Sequence, residues 1–249
     1  MPRTRTGESV VSRVVRVLEA FTPDDPALSV TEIARRSGLH VATASRLVAE
    51  LSAHGLLARR DGAVRVGMRM WELAQRASPT LSLREAAMPF LEDLHAVIGH
   101  HVQLGVLDGE EVLFVERISA PNSVVNYTRI AGRLSLHASS SGLVLLAHAP
   151  PELQERVLAS PLQRMTPNTP TRPKQVREML ADIRRQGYAL CAGFIHVDAT
   201  GVAVPVRDGS GAVVAAIGAV VPNDGNAYVH VPALLAAARG IGRRLHSAR

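Results

Sequence analysis

Arg46 stands at the end of a run, His40–Val41–Ala42–Thr43–Ala44–Ser45–Arg46, in which most other side chains are small or short. A helix carrying that face can approach the floor of a DNA major groove, which is about 12 Å wide. His40, Val41, Thr43, Ser45 and Arg46 are then the candidates for base and groove contact. Arg59, Arg60 and Arg65 follow on either side of Asp61-Gly62, the strongest two-residue hairpin signal. On such a hairpin their guanidinium groups reach phosphates. The chemistry these spacings suit is recognition of double-stranded DNA, with no covalent step.

Other residue types that do chemistry lack the company they need. Ser139-Ser140-Ser141-Gly142 is not a G-x-S-x-G elbow. No Walker A run and no G-x-G-x-x-G opens a strand–helix unit. Cys191 is the only cysteine, so neither an intramolecular disulfide nor a cysteine-based zinc site can form, which suits a reducing cytoplasm. It has no basic neighbour in sequence to activate the thiol. Among the ten histidines, His100 and His101 are adjacent, so on a strand they point to opposite sides and cannot share a metal. Surface or edge histidines are the simpler reading, with His137 supporting the serine run that follows it. No metal and no cofactor is expected.

The elements that must position the recognition run are legible. Ser29 and Glu32 have the spacing of a capping box, in which each side chain satisfies a backbone N–H at a helix start. Gly38 can take the positive φ that stops this helix, and Leu39 can plug the turn. Ala44, Leu47, Val48 and Leu51 then form one buried stripe on a second helix. A preceding helix is expected over Ser9–Phe21, ended by Pro23 and Pro26 after a loose arm at residues 1–8. A short helix at Met68–Ala77, with Met70, Leu73 and Ala74 on one side, ends at Ser78-Pro79. Two amphipathic helices alone would fit an ordinary all-α domain. Cap, glycine turn, short-residue face and arginine hairpin together read as a winged helix-turn-helix.

The chain has 249 residues, enough for two domains. Net charge is +6, and residues 1–79 hold 12 arginines against 8 acidic residues, so the basic excess concentrates where DNA would be met. Lys174 is the only lysine, a bias that extends beyond the motif. The basic N-terminus has no apolar run behind it, and Ala212–Val221 is too short for a bilayer of about 30 Å, so no secretory signal and no membrane partner are expected.

Residues 81–98 form a long helical pattern broken by Pro89, read as a kink or two abutting helices. From His101 the period is two. VQLGVL and EVLFVERI flank Asp108-Gly109 as a hairpin, and Val124–Ile130 reads as a further strand. Helices are expected at Ser139–His148, Pro151–Leu158, Lys174–Gln186 and Val231–His246. Strands are expected at Tyr188–Ile195, Gly201–Arg207 and Ala212–Val221, with a proline-rich loop at Pro161–Pro173. That pattern is α+β, an antiparallel sheet with helices packed on it.

Four stretches, LSVTEIARRSGLHVATASRLVAELSAHGLL, LREAAMPFLEDL, GRLSLHASSSGLVLLA and RRQGYAL with GVAVPVRDGSGAVVAAIGAVVP, occur in the order and spacing of the IclR family of bacterial transcription regulators, which the chain resembles along nearly its whole length. The resemblance implies an N-terminal winged helix-turn-helix domain (1–79), a linker helix region (80–98) and a GAF-like antiparallel-sheet effector domain (99–249). It also implies homodimers, or dimers of dimers, on palindromic operators. Gly38, Leu39, Thr43, Arg46 and Leu47 match the family pattern, whereas His40, Val41 and Ala42 replace its Pro-Lys-Ser type of sequence and remove a cation. Val41 suits contact with a thymine methyl.

By the same resemblance an effector pocket lies between the loop and helix from about residue 132, with Leu134, Ser139, Ser140, Ser141 and Gly142, and the strands after Gly187. Free N–H groups at a helix start suit a carboxylate. Family members that bind small oxo-acids place an acid, a cysteine and two serines where this chain has Cys191, Gly201, Gly218 and Val220. Phe194 stands at a position often acidic in the family. The expected effector is therefore a small, rather apolar or aromatic carboxylate, and Cys191 lines its pocket. The function implied is a ligand-responsive, DNA-binding regulator, a repressor of a catabolic or related operon in the first reading. An activator of the same kind is the alternative, and an enzyme with an accessory winged helix is the reading from another class.

Overall fold

The computed structural model describes residues 8–22, 24–77, 79–121 and 123–247. The chain divides into two units, Met1–Ser78 and Pro79–Arg249. Expectations that rest on residues 1–7, Pro23 and Ser78 lie outside the described residues.

The first unit runs α1 (Val10–Glu19), β1 (Ala27–Leu28), α2 (Val30–Ser37), α3 (Val41–Ala53), β2 (Leu57–Arg60), β3 (Ala63–Val66) and α4 (Met68–Ala77). Its small antiparallel sheet has the order β1-β3-β2. Val17, Ile33, Leu47, Val48, Leu57 and Val64 form the core under it. Between α2 and α3, Gly38 adopts φ +62° and the Leu39 N–H reaches back to the Ala34 carbonyl at 3.0 Å, so the two helices turn within a few residues. The β2–β3 hairpin closes on Asp61 and Gly62 with φ of 51° and 77°, the left-handed pair that a type I′ turn requires. On the expected apolar side of α4 Met70 is half-buried, while Leu73 and Ala74 are exposed, as are Met68 and Trp71 beside them.

The second unit runs α5 (Pro79–Ile98), β4 (His101–Asp108), β5 (Glu111–Ile118), β6 (Arg133–Ser135), α6 (Ser140–Ala147), α7 (Pro151–Ala159), α8 (Pro173–Gln186), β7 (Ala189–Ala192), β8 (Ala199–Arg207), β9 (Val213–Pro222), a 3-10 turn at Ala227–His230 and α9 (Val231–Ser247). The six strands form one antiparallel sheet in the order β6-β5-β4-β9-β8-β7. Because side chains alternate across a strand, each apolar strand serves two cores. Val102, Leu104, Val202, Val204, Ile217 and Ala219 pack under α5 and α9. Val112, Phe114, Cys191, Ala203 and Ala216 pack under α6, α7 and α8 on the other face.

Several expectations need correction. Residues 124–130 do not join the sheet: they run without ladder pairing, held by side chains described below. The strand expected over Tyr188–Ile195 stops at Ala192, where Gly193 at φ +70° turns the chain out. Of the two readings at Pro89, two abutting helices does not hold: Pro89 lies inside one continuous helix. The hydrogen bond it forfeits is offset by burial of Ala87, Leu91, Leu94 and Ile98 on the sheet. In the β4–β5 hairpin Asp108 pairs with Glu111, so the turn residues are Gly109 and Glu110, one place later than expected. The short strands β1 and β6 have no pattern of their own long enough to be read. Among the described residues no helix is long and apolar enough to cross a membrane.

One buried charge ties α5 to the sheet. The Glu116 side chain is 5% exposed, and Arg84 donates to its Oε2 at 2.6 Å while the Arg117 N–H donates to its Oε1 at 2.8 Å. Arg84→Ala leaves that carboxylate short of a partner where water reaches poorly. Urea melts should show a loss of about 1–3 kcal/mol, and Arg84→Ala with Glu116→Gln together should lose less than the single change.

Candidate nucleic-acid interface and ligand pocket

On α3 the alternation of buried and open positions separates two faces. Ala44, Leu47, Val48 and Leu51 are buried, while Val41, Ala42, Arg46 and Ala49 are exposed and Thr43 and Ser45 half-buried. Arg46 is thus the one cation on an outer face that is otherwise short as far as Ala49, with Glu50 exposed one turn beyond it. His40 has a further task that sequence reading missed: it is the N-cap of α3, its Nδ1 accepting the Ala42 N–H at 3.3 Å. Arg59, Arg60 and Arg65 are all exposed on the wing. Register divides them. Arg60 and Arg65 pair with Ala63 and Ala58 on one face, and Arg59 pairs with the buried Val64 on the other.

The helix that braces α3 is held by charges. Ser29 Oγ accepts the Glu32 N–H at 3.1 Å, as a cap should. The reciprocal half of the expected capping box is replaced: the Glu32 carboxylate receives Arg35 at 2.6 Å and Arg36 at 2.9 Å. Arg36 also donates to Asp25 at 3.0 Å and to the Ala20 carbonyl at 3.2 Å, fastening α2 to the segment after α1. Hydrogen bonds from Arg35 first, then Arg36, hold the Glu32 carboxyl down at about 2 against its ordinary 4.5.

In the second unit a cavity of about 450 Å3, its open mouth included, lies between the sheet and the start of α6. Leu134, Ser139, Ser140, Cys191, Phe194, Gly201 and Val220 come together there. Ser141, Gly142 and Gly218 do not line it. The Ser141 side chain is fully buried elsewhere, its hydroxyl without a partner among the described residues. Gly142 is pressed against the Leu136 carbonyl, 2.5 Å from where a Cβ would stand.

The floor and one wall are set by α6. Ser139 Oγ caps the helix by accepting the Gly142 N–H at 3.1 Å, and its carbonyl accepts the Leu143 N–H at 2.8 Å. The N–H groups of Ser140 and Ser141, in the first turn, have no helical carbonyl to meet. Ser140 is 3% exposed, and its hydroxyl makes no hydrogen bond among the described residues. Among the described residues no arginine or lysine lines the cavity. An anion here would be met by N–H dipoles and hydroxyls rather than by a formal charge. Burial pushes the Cys191 thiol up, so it stays neutral and serves as wall.

The remaining lining was not foreseen: Gln103, Val125, Asn126, Tyr127, Thr128, Ala138, Ile195, His196 and Ala199. The stretch expected as a strand from Val124 is instead a strap over the cavity. His101, buried where an edge position was expected, meets the Val124 carbonyl with Nε2 at 2.7 Å, and Arg117 donates to the Thr128 carbonyl. Tyr127 and His196 face each other at the mouth, ring centroids 6.0 Å apart. The loop carrying Phe194 is pinned from the proline-rich segment: Thr166 donates to the Gly193 carbonyl at 2.5 Å and Thr169 to the Phe194 carbonyl at 2.6 Å. His137 meets the Gln163 carbonyl at 3.0 Å and supports the same segment beside the serine run. A signal for Gln103 was present, a lone amide in the apolar run VQLGVL on the inward side.

Comparison with known proteins agrees along both units. The family described as "Bacterial transcriptional regulator IclR C-terminal" matches residues 75–245, and "IclR helix-turn-helix domain" matches residues 10–61. The chain is 30% identical over 210 residues to the HTH-type transcriptional regulator XynR of Escherichia coli, covering 83% of each chain. It is 29% identical to a p-hydroxybenzoate hydroxylase transcriptional activator of Acinetobacter baylyi, covering 86% of this chain and 82% of that one. A crystal structure of an IclR homolog from Microbacterium hydrocarbonoxydans, complexed with 4-hydroxybenzoate, is 48% identical with a TM-score of 0.91, covering 95% of this chain and 99% of that one.

The ion cluster around Glu32 gives a pH test. A carboxyl held below its ordinary value contributes stability that is present above about pH 4.5 and fades as pH falls toward about 2. In urea melts the gap between the wild type and Glu32→Gln should be constant near neutrality and narrow across that window. A gap of equal size at every pH would contradict the pairing.

Proposed function

This chain belongs to the IclR family of ligand-responsive, DNA-binding transcriptional regulators, and from that premise we propose that its effector is an aromatic carboxylate. The carrying observation is the cavity: Leu134, Phe194, Cys191 and Val220 supply apolar walls, and the start of α6 supplies N–H groups and the free Ser140 hydroxyl at one end. A small oxo-acid would find Cys191, Gly201 and Val220 where it needs polar partners. The 4-hydroxybenzoate bound by the homolog at 48% identity supports the reading. The carboxylate would sit on the Ser140 amide and hydroxyl at the start of α6, its ring against the apolar walls.

The output is DNA binding through α3 and the wing. Arg46, with Val41, Thr43 and Ser45, would read the groove, and Arg60 and Arg65, sharing one face, would hold phosphate. His40 would act mainly by capping α3. A homodimer on a palindromic operator in the cytoplasm, controlling an operon for breakdown of such an acid, completes the proposal. Repression or activation then depends on where the operator lies relative to the promoter. No turnover is proposed, and the neutral, buried Cys191 thiol supports that.

Calorimetry should show 4-hydroxybenzoate binding and glyoxylate or pyruvate failing to bind. Ser140→Ala should weaken the aromatic acid roughly ten-fold, the effect of about one hydrogen bond to a charged group. Tight binding of glyoxylate with no aromatic binding would overturn the proposal. In gel shifts Arg46→Ala should weaken specific operator binding far more than non-specific binding. Arg60→Ala should weaken both about equally and reduce the salt dependence by about one counterion.

A further inference from the structure

Gln103 is a buried polar side chain, 2% exposed, and it lines the cavity. It lies on β4, where Val102 and Leu104 turn to the α5–α9 core, so Gln103 turns to the face that carries α6. Its Oε1 is 2.7 Å from Thr128 Oγ1, and Asn126 Nδ2 approaches the same oxygen at a long 3.5 Å. Thr128 is itself fixed, its N–H donating to Asn126 Oδ1 at 2.9 Å and its Oγ1 lying 2.8 Å from the same oxygen, so the one hydroxyl proton is shared between Asn126 Oδ1 and Gln103 Oε1. The amide carbonyl is thereby tied to the strap, and among the described residues no protein group takes the –NH2.

The sheet sets the distance between this amide and the start of α6. Gln103 pairs with Gly218 on β9, and Val220 on β9 pairs with Gly201 on β8, over which Ser140 lies. Gln103 and the Gly201 position under Ser140 are therefore two strand spacings of about 4.8 Å apart across the sheet and two residues apart along it, a diagonal of about 12 Å between backbone positions. Val220 stands between them. A benzene ring bearing a carboxylate at one end and a polar group at the opposite end bridges that gap. A two- or three-carbon acid does not.

We propose that Gln103 is the specificity-determining residue of the pocket, donating its amide N–H to a hydroxyl oxygen at the para position of the aromatic acid. The assignment rests on the aromatic-carboxylate reading above. It adds which ring position is sensed and by which group. A phenolic oxygen accepts from an amide and brings no second charge into a cavity without a cation. A ring that lacks the hydroxyl leaves a buried –NH2 without an acceptor, and that is how the pocket would discriminate.

The test is calorimetry with 4-hydroxybenzoate, 3-hydroxybenzoate and benzoate on the wild type, Gln103→Leu and Thr128→Val, each full chain checked by circular dichroism. The wild type should prefer 4-hydroxybenzoate by roughly ten-fold or more, the worth of one satisfied buried donor. Gln103→Leu should abolish that preference while binding benzoate at least as well as the wild type. Thr128→Val should fall between. Retained preference in Gln103→Leu would overturn the proposal, and so would equal loss of all three acids in a folded variant. Absence of any aromatic binding to the wild type would reject the underlying reading as well.

Discussion

Ser140 lies close over the sheet where residue 201 has no side chain: a Cβ there would stand 2.8 Å from Ser140 Oγ and 3.4 Å from its Cβ, so the serine hydroxyl would have to turn away. That close approach brings the first turn of α6 down onto β8 and places its unpaired N–H groups at the end of a cavity otherwise walled by carbon. The rest of the pocket follows from it. Apolar side chains from β7 and β9 form the walls, the strap over 124–130 closes one side, and the loop after Gly193 closes another. The sheet supports this because its strands alternate over most of their length, with register shifts between Leu104 and Gly105 and between Val206 and Arg207. The residues packing under α5 and α9 make a continuous apolar face, leaving the opposite face free to hold glycine, glutamine and serine where a ligand would sit.

The segments that touch the cavity are held differently from the frame. The strap has no ladder hydrogen bonds; it hangs on the Val124 carbonyl at His101, on Thr128 at Gln103 and on the Thr128 carbonyl at Arg117. The Phe194 loop hangs on two threonine hydroxyls. Side-chain tethers open more readily than a ladder, so these segments are the ones a ligand can reorder. An effector acts on DNA binding only to the extent that it prefers one state of the chain over another. A ligand that bridges α6 and the strap has the means to express such a preference.

Sequence legibility follows the same division. Elements with a strong period and clear caps were readable: Ser29, Gly38 and the stripe Ala44–Leu47–Val48–Leu51 place the helix-turn-helix, and Asp61-Gly62 places the wing turn. The strap carries strand propensity in Val124, Val125 and Ile130, and nothing local shows that its polar residues are claimed by Gln103. The capping box was half right because two arginines outbid one backbone N–H for the Glu32 carboxylate. Pocket residues contributed by one strand each, such as Leu134, Cys191 and Val220, were identified through the family resemblance. Gln103, His196 and Thr128 were not, since their roles arise only when distant strands are set side by side.

The most direct test of this account is a crystal structure of the chain with 4-hydroxybenzoate. The account predicts the carboxylate against the Ser140 amide and hydroxyl, the ring on Val220 and Phe194, and the hydroxyl oxygen within hydrogen-bond distance of the Gln103 side-chain nitrogen. A ligand bound with its carboxylate at Gln103, or outside this cavity altogether, would contradict it.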